Sequence, residues 1–488
     1  MIAQGAQVEH AEFGIGKVIA ILGDTATVDF LGETIDVDSD ELLPRNNVSN
    51  LAGSTAGPKQ LNDVAFRKAF EAVNLGVVPG EPEQLVNLTI GGNAASKEIE
   101  ALLSGADTHG LCRVFMGYYG SGKSHHLQLV RAVALSQGWV TATIELDPKA
   151  ADPAKPSTVY QALMSGLEFP EKADGSKNID FIDLVKEIRD HWDAIRSLPY
   201  FKRSPWFSYG LEALLNLSHR RDDTAYVAAV SWLQGQVKQI SAIRSISWRT
   251  GHRRAIPSMP QTKDNALVYA FHLVVLSEIL KALGYKGLAI VIDEAEHVRT
   301  YSFNRYIRAN NFFDVISRCA HKPQPKLRKP DCDYEYEFSI PDFWKEGPHF
   351  ALFVGLTEGE DTQDLKRKAG EMSVLIHDED DVLHLHAPSG ADYEQWCQHF
   401  LEQTSTKLGP RVAMLSDAGL RARLAATLRH HFEETPEEDR ILRQWTKMVG
   451  FIPALLMSRD TAMDADELVQ LLSAAAGQIS GEFMPWDE

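Results

Sequence analysis

The chain opens with short runs in which apolar and polar residues alternate: Ala6-Gln7-Val8, Gly16–Ile21, Thr25–Phe30 and Thr34–Val37. Leu22-Gly23-Asp24 and Leu31-Gly32-Glu33 fall between the runs as turn signals. A two-residue period broken by Gly and Asp predicts antiparallel strands forming a small all-β barrel over 1–44. Residues 45–59 are rich in Asn, Ser, Gly and Thr, which predicts a flexible linker.

From residue 60 the period changes. Apolar runs at Arg113–Met116, Trp139–Leu146, Gly287–Ile292, His349–Leu356 and Val382–His386 are separated by helix-like segments. Runs of this kind predict buried strands in a mostly parallel α/β sheet spanning 60–388. A helical stretch with several Trp and Tyr, about 175–262, interrupts the alternation. After 389 only helical patterns remain, near 391–405, 416–432, 437–449 and 464–476, so 389–488 is expected to be a helical domain.

With 44% hydrophobic and 24% charged residues over 488 positions, a disordered, collagenous or disulfide-scaffold chain is excluded. No apolar run reaches the roughly 18 residues of a membrane helix, and Met1-Ile2-Ala3-Gln4 has no secretory n-region. The four cysteines lack framework spacing, so a reduced, cytoplasmic protein without membrane contact is expected. The net charge of −18 is uneven: residues 1–50 hold two bases against nine acids, and 371–488 hold nine against 21. Acidic ends cannot follow a phosphate backbone. DNA, if contacted, would meet 236–263, where Lys238, Arg244, Arg249, Arg253, Arg254 and Lys263 surround Trp248 with no acid among them. A solvated surface or an acidic protein partner is the plainer reading of that stretch.

Gly117-Tyr118-Tyr119-Gly120-Ser121-Gly122-Lys123-Ser124 satisfies G-x-x-x-x-G-K-[ST] between an apolar run and a helix-like segment. Glycines there let backbone N–H groups wrap phosphates, Lys123 reaches the β- and γ-phosphates of ATP, and Ser124 ligates Mg²⁺. A glycine-rich turn with a solvated lysine is the plainer alternative. Leu288–Ile292 runs into Asp293-Glu294, which suits a buried strand whose end holds Mg²⁺ through Asp293 and a catalytic Glu294 that polarises the attacking water. Solvated helix caps would read the same way. Thr357, ending the next apolar run, is placed to sense the γ-phosphate or merely to cap the strand. The order of runs is that of the additional-strand, catalytic-glutamate (AAA+-like) P-loop ATPases, with the helical tail as their lid. Arg299, Arg305, Arg308 and Arg318 are candidates to complete a neighbour's site in a self-oligomer. Arg440 or Arg443 is placed to reach the nucleotide from the lid, and Gly450-Phe451-Ile452-Pro453 resembles a G-x-P turn over adenine.

Ala69-Phe70-Glu71-Ala72-Val73-Asn74-Leu75-Gly76-Val77-Val78-Pro79, then Leu88–Gly92, Glu98-Ile99-Glu100 and Met116–His125, resemble the ATP-binding protein (D component) of BREX-type bacterial phage-defence systems. The resemblance covers about 60–360 and departs at Asn74, where that family usually has Arg. It adds His125 to the binding set Gly117, Gly120, Ser121, Gly122, Lys123 and Ser124. It also implies other defence-system subunits as partners and a complex acting on DNA. Val8–Val18 with Val28-Asp29-Phe30 resembles the Tudor/SH3-like barrel of UvrD-type helicases and CarD-type regulators, which docks on other proteins. The expected function is a Mg²⁺-dependent ATPase powering or gating a defence complex. A nucleotide-switched scaffold and a helicase subunit are the alternatives.

Overall fold

The computed structural model describes strand backbones within 7–44 and residues 58–482. Within the latter it leaves out 76–77, 81, 173–174, 216–223, 237–256, 258, 260–264, 324, 327–329, 331–337, 358–374, 376–378, 386–387, 435–441 and 459–462. Two compact units result, Met1–Asp63 and Val64–Glu488. In the first, β1 (Gln7–His10), β2 (Gly14–Leu22), β3 (Thr25–Phe30), β4 (Glu33–Asp38) and β5 (Leu42–Pro44) form one antiparallel sheet in the order β4-β3-β2-β1-β5. The β2–β3 register shifts between Val18 and Ala20, a bulge that sharpens the local twist.

The second unit is built on β6 (Leu111–Gly117), β7 (Val140–Glu145), β8 (Leu167–Glu168), β9 (Leu288–Asp293), β10 (Ala351–Thr357) and β11 (Val382–His384). Their order is β11-β6-β10-β9-β7-β8, parallel except for the β7–β8 pair. β9 and β10 lack polar alternation because both faces are covered. Leu288, Ile290 and Ile292 enter one core, while Ala289 and Val291 enter the other. Each fully buried Leu or Ile contributes roughly 1.5–3 kcal/mol, so a charge at Ile290 would break the sheet at its centre. The parallel pairing of Thr357 with Gly117 and of Glu145 with Asp293 aligns the strand ends along one edge.

After α1 (Pro58–Leu75) and α2 (Pro82–Asn87), α3 (Gly92–Ser104) and α4 (Lys123–Ser136) lie on one face, burying Ile99, Leu103, Leu127 and Val130. The opposite face carries α5 (Ala266–Ala282) and α6 (Phe303–Ala320). The aromatic stretch read as an interruption supplies Phe181, Trp206, Phe207, Tyr226 and Trp232 to this same core, so it extends the layer rather than building a separate one.

The C-terminal helices are α7 (Gly390–Lys407), α8 (Ala418–Glu434), α9 (Leu442–Ser458) and α10 (Ala465–Glu482). α7 starts where Ser389 and Asp392 form a reciprocal capping box. Its Tyr393 packs against Phe432 and Trp445 with ring centroids 5.2 and 5.1 Å away. Phe66, Phe70 and Val73 of the helix Pro58–Leu75, far earlier in the chain, complete this core. Among the described residues no helix is long and apolar enough to cross a membrane. Cys112, Cys319 and Cys397 are buried free thiols.

Candidate functional site

β6 ends at Gly117 and α4 begins at Lys123, so the glycine-rich segment is the loop between a buried strand and a helix N-terminus. Gly120 (φ 77°) and Gly122 (φ 91°) adopt left-handed conformations that a side chain would strain. At Gly117 a Cβ would stand 2.5 Å from Ser121 Oγ. Gly122 supplies no side-chain cap, so the first N–H groups of α4 keep no internal acceptor and present the positive helix end to the loop. Ser121 Oγ is buried without a hydrogen-bond partner. Lys123 is itself buried, its Nζ donating to the carbonyls of Gly117 (3.3 Å) and Tyr118 (3.2 Å). Free N–H groups, an unpartnered hydroxyl and a dehydrated ammonium in one loop fit a polyphosphate.

Asp293 closes β9, with Oδ1 accepting from the Glu294 N–H at 2.9 Å. Among the described residues Glu294 is the one non-glycine with positive φ (58°), a conformation held only by surrounding structure. Burial first, then Glu296 and Asp293, raise its carboxyl above the ordinary glutamate range, with His297 opposing. His297 Nε2 lies 3.7 Å from Glu294 Oε2.

A short 3₁₀ helix, Ala295–Thr300, follows directly and binds the end of β10. Thr357 donates its hydroxyl to Glu296 Oε1 and its N–H to Glu296 Oε2 (3.3 Å), while Arg299 Nη2 donates to the Thr357 carbonyl at 2.9 Å. Arg305 is 3.0 Å from the buried carboxylate of Asp152 and donates to the Pro148 carbonyl at 2.8 Å. Arg318 pairs with Asp314 at 2.6 Å. Three of the four arginines expected to serve a neighbouring site are therefore tied within their own chain. For the fourth, Arg308, Nε is buried without a hydrogen-bond partner.

Part of the loop, Glu294 and Thr357 meet at a cleft of about 240 Å³. Gly120, Gly122, Lys123, Ser124 and His125 line it together with Glu294 and Thr357. Gly117, Ser121 and Asp293 lie outside its lining. Val73, Val78, Pro79 and Leu88 form an apolar wall, and α9 adds Leu442, Arg443 and Thr446. Of the two arginines expected to reach from the lid, Arg443 lines the cleft, while Arg440 lies outside the described residues, as do the basic residues of 236–263. Gly450 and Pro453 sit inside α9 instead of forming a turn. There Gly450 allows close approach to Asn74 Oδ1.

Burial first, and His126 second, push the His125 imidazole down to about 3, which favours its neutral form. Thr89 spends its one hydroxyl proton on the Leu85 carbonyl (2.5 Å), so His125 must donate from Nε2 to Thr89 (2.5 Å). The next carbonyl back, that of Leu88, accepts from Trp396 Nε1 of α7 at 2.9 Å, which ties this wall to the C-terminal helices. Sequence reasoning missed the apolar wall and the Glu296–Thr357 contact. The only sign of the latter was a third acid two positions after Glu294.

A parallel-dominated sheet with helices on both faces, opening at its strand ends onto a glycine loop and paired carboxylates, has the architecture of an ATPase-like α/β protein. The family described as BREX system ATP-binding protein BrxC/D matches residues 65–188 and 180–320, over half of the chain, and the chain belongs to that family. No curated protein and no solved structure matches the chain.

Proposed function

We propose that this protein is a Mg²⁺-dependent ATPase that holds ATP in this cleft and, through hydrolysis, powers or gates a BREX defence complex acting on DNA. The observation that carries the reading is the convergence of Lys123 and Ser124, Glu294, Thr357 and Arg443, from four separate segments, on one cleft. The place of β10 between the loop strand β6 and the Asp-Glu strand β9 supports the additional-strand, catalytic-glutamate, AAA+-like class. The loop N–H groups and Lys123 bind the phosphates. Ser124 and Asp293 would hold Mg²⁺, which would supply neutralisation of the phosphate charge. Glu294 orients the water and takes its proton, a role suited by its raised proton affinity. Arg443 and Leu442 come from the lid helices of 389–488, and the apolar wall receives the base.

The acidic sheet of 1–44, on its linker 45–59, serves in this reading as a Tudor-like docking barrel for other subunits of a cytoplasmic complex. The basic residues of 236–263 would meet DNA. Any self-oligomer that completes the site would use an arginine other than the three tied internally. The test is an ATP titration of Lys123→Ala. Loss of binding with the fold retained is expected; unchanged affinity would remove the loop from the site.

A further inference from the structure

We propose that Glu296 is a positioning residue for hydrolysis, acting through Thr357: it takes the threonine's hydroxyl proton, so that Oγ1 faces the cleft only as an acceptor. The inference rests on the ATPase reading above and adds a role for a carboxylate outside the expected set. A threonine hydroxyl has one proton and two lone pairs. Thr357 commits that proton to Glu296 Oε1, its N–H to Glu296 Oε2 at 3.3 Å, and its carbonyl to Arg299 Nη2 at 2.9 Å. All three groups are held by one 3₁₀ turn that starts at the residue after Glu294.

The consequence is chemical. Thr357 lines the same cleft as Glu294 but has no proton left for a phosphate oxygen, and its lone pairs repel one. A water molecule, by contrast, can donate to it. Water that gives one hydrogen to Glu294 and the other to Thr357 has both hydrogens fixed, which leaves an oxygen lone pair to aim at phosphorus. That oxygen then bonds to the γ-phosphorus, the bond to the β–γ bridging oxygen breaks with its electron pair leaving on ADP, and the water proton passes to Glu294. Thr357 therefore orients water instead of sensing the γ-phosphate, and it does so because Glu296 sets the direction of its hydroxyl.

The experiment measures ATP affinity and kcat for wild type, Glu296→Gln, Glu296→Ala, Thr357→Val, Thr357→Ser and the Glu296→Ala/Thr357→Val double variant. A glutamine replaces one of the two acceptor oxygens by an NH₂ that cannot accept, so it cannot reproduce the paired bonds to Oε1 and Oε2. Glu296→Gln should lower kcat about tenfold or more, and Thr357→Val about a hundredfold, with ATP affinity kept. The double variant should be no slower than Thr357→Val alone, and Thr357→Ser should retain most of the rate. Retained ATP binding by Glu296→Gln shows that the site is still folded. Wild-type kcat in Glu296→Gln, or losses that multiply in the double variant, would overturn the proposal while leaving the ATPase reading in place. Absence of turnover in the wild type would overturn that reading and the proposal together.

Discussion

Replacing Gly355 by alanine tests whether the position of the Asp293 carboxylate matters to hydrolysis. Gly355 lies on β10 directly beside Asp293. An added Cβ would stand 2.7 Å from Asp293 Oδ1 and 2.9 Å from Leu127 Cδ1, where ordinary contact begins near 3.4 Å. β10 cannot move aside easily, since it is hydrogen-bonded to β6 on one side and β9 on the other. The carboxylate must therefore retreat by roughly 0.7 Å, and Leu127, itself buried, by somewhat less. Overpacking of this kind costs about 1–3 kcal/mol of stability. In the proposed site the effect on chemistry should be larger in proportion, because an oxygen that held the metal, displaced on this scale, would cost about tenfold to a hundredfold in rate. Phosphate release measured against Mg²⁺ concentration, with melting curves in parallel, should show a higher Mg²⁺ requirement and a lower maximal rate. A variant that melts lower but turns over with unchanged Mg²⁺ dependence would refute the placement of Asp293 at the metal.

Three further outcomes are expected. Glu294→Gln should bind ATP like wild type and hydrolyse it about a hundredfold or more slowly, because water activation alone is removed; wild-type turnover would move that role elsewhere. His272, fully buried among Tyr160, Tyr269, Trp206 and Phe207 with neither ring nitrogen hydrogen-bonded, has its imidazole pushed down to about 3 by burial. The unfolded chain takes up this proton first, so stability present above pH 6.5 falls as pH drops toward 3, by about 1.4 kcal/mol per unit. His272→Phe should flatten urea midpoints between pH 7 and pH 5 without loss at pH 7, and an unchanged slope would assign the acid sensitivity to other groups. Deleting residues 1–50 should leave ATP hydrolysis nearly intact while abolishing capture of the cognate BREX subunits, read out by turnover and pull-down on one truncated chain; lost hydrolysis with retained capture would contradict the docking role.

β9 and β10 were legible because each is buried on both faces, so Leu288–Ile292 and Ala351–Leu356 read as unbroken apolar runs. The glycine loop was legible for a different reason: its chemistry is local, and residues 117–124 must be contiguous to wrap an anion. What was not legible is what contact across the chain creates. Nothing near residue 296 announces a bond to residue 357, and nothing in Phe66 or Phe70 shows that they pack with Phe400 and Trp445. The two-residue β8 is too short to carry a period. Gly450 and Pro453 carry turn chemistry locally, yet packing of Trp445, Met448, Val449 and Ile452 in the C-terminal core keeps that segment helical, so tertiary burial overrides the local signal.

The central claim, that this cleft binds and repeatedly hydrolyses ATP, is tested most directly by the time course of phosphate release from ATP and Mg²⁺ by the full chain beside its Lys123→Ala variant. The account predicts linear release over many turnovers per chain in the wild type and none above background in the variant. Release that stops at one phosphate per chain, or that proceeds equally in both proteins, would contradict it.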